Sequence, residues 1–198
     1  MSSILRLLLK MPTLRKSGES VMPLWMLLLE FGPEMNSTGE VMGVGVNFGE
    51  AFVKSQLASS SELPKPGGRA FVSVRSGDRD AIVELAQALR DLGFNLVATR
   101  GTAQAIESAG IPVAVVNKVK EGRPHIVDMI KNGDIDFIVN VVEDKKAVKD
   151  SYAIRAEALA RRVVYFTTLA GAHAACMGMR HGSELEVYSL QSLHQRLH

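Results

Sequence analysis

The chain has 198 residues, of which 46% are hydrophobic and 22% are charged, a composition typical of globular proteins. Its single cysteine, Cys176, excludes an intramolecular disulfide framework and a cluster of cysteine metal ligands. The formal net charge of +2 is too small a surplus to indicate nucleic-acid binding. The longest charge-free apolar run, 21–29, is well short of the ~20 residues that cross a bilayer. We therefore expect no membrane-spanning helix and a cytoplasmic location.

The N-terminal part of the chain has the composition of a leader. Residues 1–18 contain basic side chains and no acidic one, which is a feature of transit peptides. Pro12 and Pro23 oppose one continuous helix through this part of the chain. We predict a poorly ordered leader over residues 1–30 and keep a targeting segment as the alternative.

A short helix and a linker are predicted next along the chain. The pattern FGEAFVKSQL over 48–57 is that of a short amphipathic helix, which is too small to fold alone. It must therefore pack on the rest of the chain or on a partner. Serine, proline and glycine residues over 58–69 predict a linker and place a domain boundary near residue 65.

From residue 69 onward, short β-branched apolar runs alternate with longer amphipathic stretches, which predicts βαβ units. The amphipathic stretches predict helices over 80–92 and 147–160. Helices then cover both faces of the sheet, so the predicted fold class is α/β with a doubly wound, mainly parallel sheet. The predicted strands cover residues 70–74, 95–99, 113–116, 137–142, 163–167 and 185–190.

Polar and basic side chains follow the predicted strands, and ligands of open parallel sheets bind at the carboxyl ends of the strands. Gly101 allows a tight turn there, and the free N–H groups of a helix that begins near Thr102 favour an anion. An ordinary capped turn explains Thr99 and Gly101 equally well on this pattern alone. If the turn binds an anion, Thr99 and Thr102 offer hydroxyl donors to it and Arg79 and Lys118 add full charges. Ser73 and Asn140 lie at the ends of neighbouring predicted strands, and with these four they make six candidate residues at one edge.

The sequence has no set of side chains with the spacing of a metal site. The five histidines show no HExxH pattern, and one cysteine cannot complete a zinc set with them. We therefore propose no metal, no cofactor and no catalytic residue. Cys176 is expected to pack as a small residue of a helix over 172–179 and not to act as a nucleophile.

Several motifs resemble the large subunit of carbamoyl phosphate synthetase. The segment GPEMNSTGEVMGVG over 32–45 is similar to the closing stretch of that subunit's second ATP-grasp unit. The segments VATRGTA, VVNKVKEGRPHIVDMIKNG and YFTTLAGAHAA resemble its C-terminal allosteric domain, which has the methylglyoxal synthase-like fold. The resemblance implies an ATP-grasp remnant plus linker over 31–65 and a regulatory domain over 66–198.

The resemblance also implies a ligand and the residues that bind it. In the family, positions matching the six candidate residues bind a nucleotide-monophosphate or phosphate effector. Val141 and Val142 stand where the family pattern has two threonines, so hydroxyl contacts to the ligand are lost. Phe166 stands where the family has an acidic residue at the ornithine-responsive position, and Thr167 beside it is a candidate for a second effector site.

The function implied is allosteric regulation of carbamoyl phosphate synthesis, in arginine and pyrimidine biosynthesis, without catalysis by this chain alone. The implied partners are the synthetase catalytic units and the small amidotransferase subunit, with a homo-oligomer as a further expectation. The alternative is a lyase of the methylglyoxal synthase type acting on dihydroxyacetone phosphate. The catalytic aspartate of that enzyme is replaced by Arg123 here, so another base such as Asp144 would have to act.

Overall fold

Parallel strands form one sheet at the centre of the fold. The structure is a computed structural model, and it describes residues 41–59, 62–142, 151–181 and 187–195. In chain order, the strands of the sheet are β1 (Arg69–Ser73), β2 (Asn95–Thr99), β3 (Val113–Val116), β4 (Phe137–Asn140) and β5 (Val164–Phe166). They lie in the order β3-β2-β1-β4-β5, and every neighbouring pair is parallel.

Helices connect and cover these strands. Two short 3-10 turns, Ser76–Asp78 and Val119–Glu121, follow β1 and β3. The helices of the described residues are α1 (Phe48–Ala58), α2 (Ile82–Asp91), α3 (Arg100–Ser108), α4 (Ile126–Lys131), α5 (Tyr152–Ala160), α6 (Leu169–His181) and α7 (Leu190–Gln195). The prediction of an α/β fold with a doubly wound parallel sheet is confirmed.

The sheet separates two apolar layers because successive side chains of a strand point to opposite faces. Val72 packs in the layer formed with α2, α3 and α6, whereas Phe71 packs in the layer formed with α4 and α5. Both side chains are fully buried. Continuous apolar strands are expected when helices cover both faces of a parallel sheet, which explains the apolar runs of the sequence.

The connection between α2 and β2 shows how the sequence sets one boundary. Ile82, Leu85 and Leu89 lie at helical spacing and are fully buried, so α2 presents one apolar stripe to the sheet. Gly93 follows the helix with a φ of +83°, a conformation that glycine adopts without a side-chain clash. The chain then turns directly into β2.

The helix predicted over 48–57 forms as α1 and packs against α6. Two glycines allow the close approach of these helices. A Cβ atom on Gly49 would lie 2.7 Å from the carbonyl oxygen of Met177, and one on Gly178 would lie 3.0 Å from Val53 Cγ2. The α/β unit therefore supplies the packing partner that this short helix needs.

Glu50 joins three parts of the chain at this contact. Its carboxylate accepts hydrogen bonds from the Val46 N–H at 2.9 Å, from Lys54 Nζ at 2.6 Å and from the Tyr188 hydroxyl at 3.3 Å. Burial alone would raise the pKa of this carboxyl, but the three hydrogen bonds and the Lys54 charge outweigh burial and lower the pKa.

The strand predicted over 185–190 is wrong where the structure describes it. Residues 187–189 form no strand, and Leu190 begins α7. The reason is a contact distant in sequence: the Tyr188 hydroxyl bonds to Glu50, and Lys54 Nζ lies 4.3 Å from the centre of the Tyr188 ring. This segment is therefore held on α1 and not on the sheet.

Other boundaries differ from the predictions by a few residues. The strand predicted over 137–142 ends at Asn140, and the one predicted over 163–167 covers Val164–Phe166. The helix predicted over 147–160 is described only from residue 151, and its described part forms α5, which begins at Tyr152. The predictions for residues 1–40 lie outside the described residues. Within the described ranges, no helix is both long and apolar enough to cross a membrane.

Candidate anion-binding site at the carboxyl edge of the sheet

The strand order creates a crevice between β1 and β4. The chain runs from β1 outward through β2 to β3, then crosses back to place β4 and β5 on the other side of β1. Strand order reverses at this point, and open α/β sheets bind ligands there, beyond the carboxyl ends of the strands. Ser73 and Asn140, the last residues of β1 and β4, are in register with each other on the two sides of the crevice.

A hydroxyl cluster links the ends of β1 and β2 to α3. Ser73 Oγ lies 3.2 Å from Thr99 Oγ1, and Thr99 donates to Thr102 Oγ1 at 3.3 Å. The Val74 N–H also donates to Thr102 Oγ1, at 3.1 Å. Thr99 and Thr102 are buried, whereas Ser73 is half-buried, so the two threonines form a floor beneath the serine hydroxyl.

The N-terminus of α3 opens beside this cluster. Thr99 precedes the helix, but its hydroxyl bonds to the cluster and makes no capping bond to α3 within the described residues. The N–H groups of the first turn are therefore left for another acceptor, and the helix dipole favours a negative one. The prediction that the helix starts near Thr102 is correct to two residues, since α3 begins at Arg100.

Arg79 adds a full positive charge at the same place. A Cβ atom on Gly101 would lie 2.5 Å from Arg79 Nη2 and 3.2 Å from Arg79 Cζ. The guanidinium therefore lies against the first turn of α3, in space that only a glycine leaves open. Arg79 is exposed, so an anion that meets the free N–H groups also meets this side chain.

Lys118 lies farther out on the same edge. It follows β3, the outer strand of the sheet, and its side chain is exposed. Its backbone N–H donates to Glu121 Oε2 at 2.9 Å, which fixes the turn that carries it. The structure thus brings Ser73, Arg79, Thr99 and Thr102 together and places Lys118 at the rim.

Asn140 stands on the other side of the crevice with a partner that the sequence did not reveal. Its side-chain Nδ2 donates to the Tyr165 hydroxyl at 2.8 Å, and Asn140 is buried. Tyr165 lies within the apolar run of β5, where a tyrosine is easily taken for a core residue. Tyr165 is half-buried. The signal that could have found it is its hydroxyl, because a tyrosine that packs against the core usually gives its hydroxyl a hydrogen-bond partner.

Two departures from the family pattern, Val141 and Phe166, fill apolar positions. Val141 packs against the core layer of α2, α3 and α6, and Phe166 packs there too, with its ring centre 5.5 Å from that of Phe137. Thr167 is exposed and follows β5, which is separated from β1 by β4. Its neighbour Thr168 accepts from the Gly171 N–H at 3.1 Å in the first turn of α6.

Other candidate side chains have structural roles. Cys176 is buried in α6, and burial raises the pKa of its thiol to about 11, so the thiol is protonated at neutral pH. His125 precedes α4, and its Nδ1 accepts from the Asp128 N–H at 3.4 Å. The described residues contain no group of three or more histidine, cysteine, aspartate or glutamate side chains arranged to hold a metal ion.

Comparison with known proteins gives the class of this domain. Residues 81–167 match the family model of the MGS-like domain. The chain therefore contains an MGS-like domain, built here on an all-parallel sheet with flanking helices.

The wider chain is similar to the large chain of carbamoyl phosphate synthase. It is 57% identical over 167 residues to that of Ralstonia nicotianae, which covers 84% of this chain and 15% of the relative. It is 52% identical over 164 residues to that of Halomonas eurihalina, covering 82% of this chain and 15% of the relative. The large chain from Pasteurella multocida is 48% identical over 167 residues, which cover 84% of this chain and 16% of the relative. The resemblance drawn from the sequence is confirmed.

The chain spans about 15% of the length of these curated relatives, and the match lies in their C-terminal part. A solved structure, methylglyoxal synthase from Elizabethkingia anophelis NUHP1, is also similar. Its TM-score is 0.47 at 21% identity, and the similarity covers 58% of this chain and 79% of that one.

Proposed function

We propose that this chain is a regulatory module that binds a nucleotide monophosphate or inorganic phosphate and has no catalytic activity alone. In an intact synthetase, occupancy of the crevice would act on the catalytic units of the large chain. A ligand can do this only by binding two conformations with different affinity. The binding step belongs to the crevice itself, so it is the part that the isolated chain can test.

The observation that best supports this function is that Arg79 and the uncapped N-terminus of α3 meet beside the hydroxyl cluster. Backbone N–H groups and a guanidinium donate hydrogen bonds to an anion, and the strand-order reversal provides space for it. The Ser73 hydroxyl joins them by turning its one proton from Thr99 to the anion. We assign the phosphate to these groups and to Lys118 at the rim. Thr99 and Thr102 support the contacting groups from below.

The experiment is isothermal titration of the full chain with UMP, IMP and inorganic phosphate at low ionic strength. We expect saturable binding that weakens as salt is added, because exposed charges supply part of the attraction. Removing one charge-assisted contact, in Arg79→Ala or Lys118→Ala, should weaken binding by about 1–3 kcal/mol.

Matched controls remove equal charges at the opposite edge of the sheet. Lys131 ends α4 just before the turn into β4, and Arg161 follows α5 before β5; both side chains are exposed. Lys131→Ala and Arg161→Ala should bind as the unaltered chain does. Equal weakening in all four variants would indicate only a general charge effect, and no binding of any of the three ligands would contradict the proposed function.

A further inference from the structure

The hydrogen bond between Asn140 and Tyr165 connects the crevice to the outer strand β5. Tyr165 is in register with Ile138, and Asn140 lies two residues beyond Ile138 on the same face of β4. That face also carries Ser73 and Thr99, the neighbouring strand ends. A polar row therefore crosses four strands on one face of the sheet, with Tyr165 at its end.

The bond fixes which part of the Asn140 amide meets the crevice. Asn140 Nδ2 donates to the Tyr165 hydroxyl, so the amide oxygen of Asn140 points away from Tyr165. Among the described residues, Arg155 Nε is the buried side-chain polar atom that lacks a partner. Among these residues the Asn140 amide oxygen accepts no hydrogen bond, and it is not one of the fully buried atoms without a partner, so it remains available to a donor at the end of β4.

An amide oxygen recognises a hydrogen-bond donor. It would repel the oxygens of a phosphate dianion but would accept from a sugar hydroxyl or a base N–H. The anion-binding groups lie on the other side of the crevice, around α3. Among the described side chains that face the crevice, Asn140 thus offers an acceptor to the uncharged part of a ligand, while the α3 side offers donors to its anion.

We propose that Tyr165 is a positioning residue that orients the Asn140 amide so that its oxygen receives the hydroxyl or N–H of the nucleoside part of the ligand. This inference rests on the proposed function, and it assigns Tyr165 a role in nucleotide affinity that the phosphate alone does not require. Without the phenol oxygen, the amide can rotate and present its donor in place of its acceptor.

The test is a double-mutant cycle with Tyr165→Phe, Asn140→Ala and both changes together, titrated with UMP and with inorganic phosphate. Tyr165→Phe should raise the Kd for UMP about three- to tenfold, the value of one neutral hydrogen bond, and leave the Kd for phosphate unchanged. In the Asn140→Ala background, the same change should have no further effect. Tyr152→Phe is the matched control, since Tyr152 is 72% exposed on α5.

Thermal unfolding of each variant separates positioning from stability. A purely structural role of the Tyr165 hydroxyl would lower Tm and weaken both ligands together. An unchanged UMP affinity in Tyr165→Phe, or an equal loss in the Asn140→Ala background, would overturn the role assigned to Tyr165 while leaving phosphate binding in place. If the unaltered chain binds phosphate but not UMP, the nucleoside-binding role is also wrong. If it binds neither of these ligands nor IMP, the proposed function fails as well.

Discussion

The two halves of the carboxyl edge differ in what they offer a ligand. On the β1 and β2 side, Ser73, Arg79 and the first turn of α3 offer donors and positive charge. On the β4 and β5 side, one amide held by Tyr165 is followed by valines and Phe166. The first half therefore presents a positive charge beside free N–H groups, and the second half presents a neutral amide at the end of β4.

The apolar side chains of the second half have a role in packing. Phe166 joins Phe137 and Phe94 in a row of rings, with ring centres 5.5 Å and 6.1 Å apart along the row. Val141 packs against the same layer, and its N–H donates to the Ser73 carbonyl oxygen at 2.9 Å. The side chains of this half thus pack as part of the core, whereas those of the first half are polar and partly exposed.

The largest effect is expected from placing a charge on the packed half. Phe166→Asp, which restores the residue type of the family pattern, should lower the free energy of unfolding by about 2–4 kcal/mol, because it removes a packed ring and brings a carboxylate against apolar neighbours. Urea denaturation measures this loss. Thr167→Asp, one residue further and exposed, should change stability little. Equal stability of the two variants would show that Phe166 does not support the core.

On the charged half, Gly101→Ala should separate binding from stability. The added methyl group would displace the Arg79 guanidinium, so we expect the Kd for inorganic phosphate to rise about threefold, less than one full charge-assisted contact. Stability should not fall, because alanine favours a helix over glycine by about 1 kcal/mol. Titration and thermal unfolding measure the two quantities. Gly77→Ala is the matched control, since a Cβ there would meet nothing within 4 Å, and a similar rise in Kd for it would contradict the placement of Arg79.

The difference between the halves also explains what the sequence could predict. Apolar runs placed β2 and β3 correctly to the residue. Burial on both faces explains the run of β2, whereas β3 is an edge strand whose Ala114 and Val115 are exposed, and its run reflects β-branched residues. The strand ends then placed the candidate site, since parallel strands end at one edge. The predicted site residues remain a prediction, although most of them meet in the structure.

Three features escaped the sequence because each depends on a contact between distant residues. Tyr165 resembles a core residue until its hydroxyl is seen to meet Asn140, 25 residues away. The contact of Arg79 with Gly101 depends on the path of a long side chain over a helix end. The segment around Tyr188 has a strand-like pattern, but a hydrogen bond to Glu50, 138 residues away, decides its position.

The smallest effect is expected from adding a hydroxyl to the uncharged half. Val142 belongs to neither core layer among the described residues, so Val142→Thr should leave stability unchanged and lower the Kd for UMP about twofold by adding one weak polar contact near Asn140. Val141→Thr is the matched variant, and it should instead cost about 1 kcal/mol of stability because its hydroxyl would enter the core layer. Titration and urea denaturation of both variants test this pair. A gain in affinity from Val141→Thr without loss of stability would mean that residue 141 faces the ligand and does not pack in the core layer.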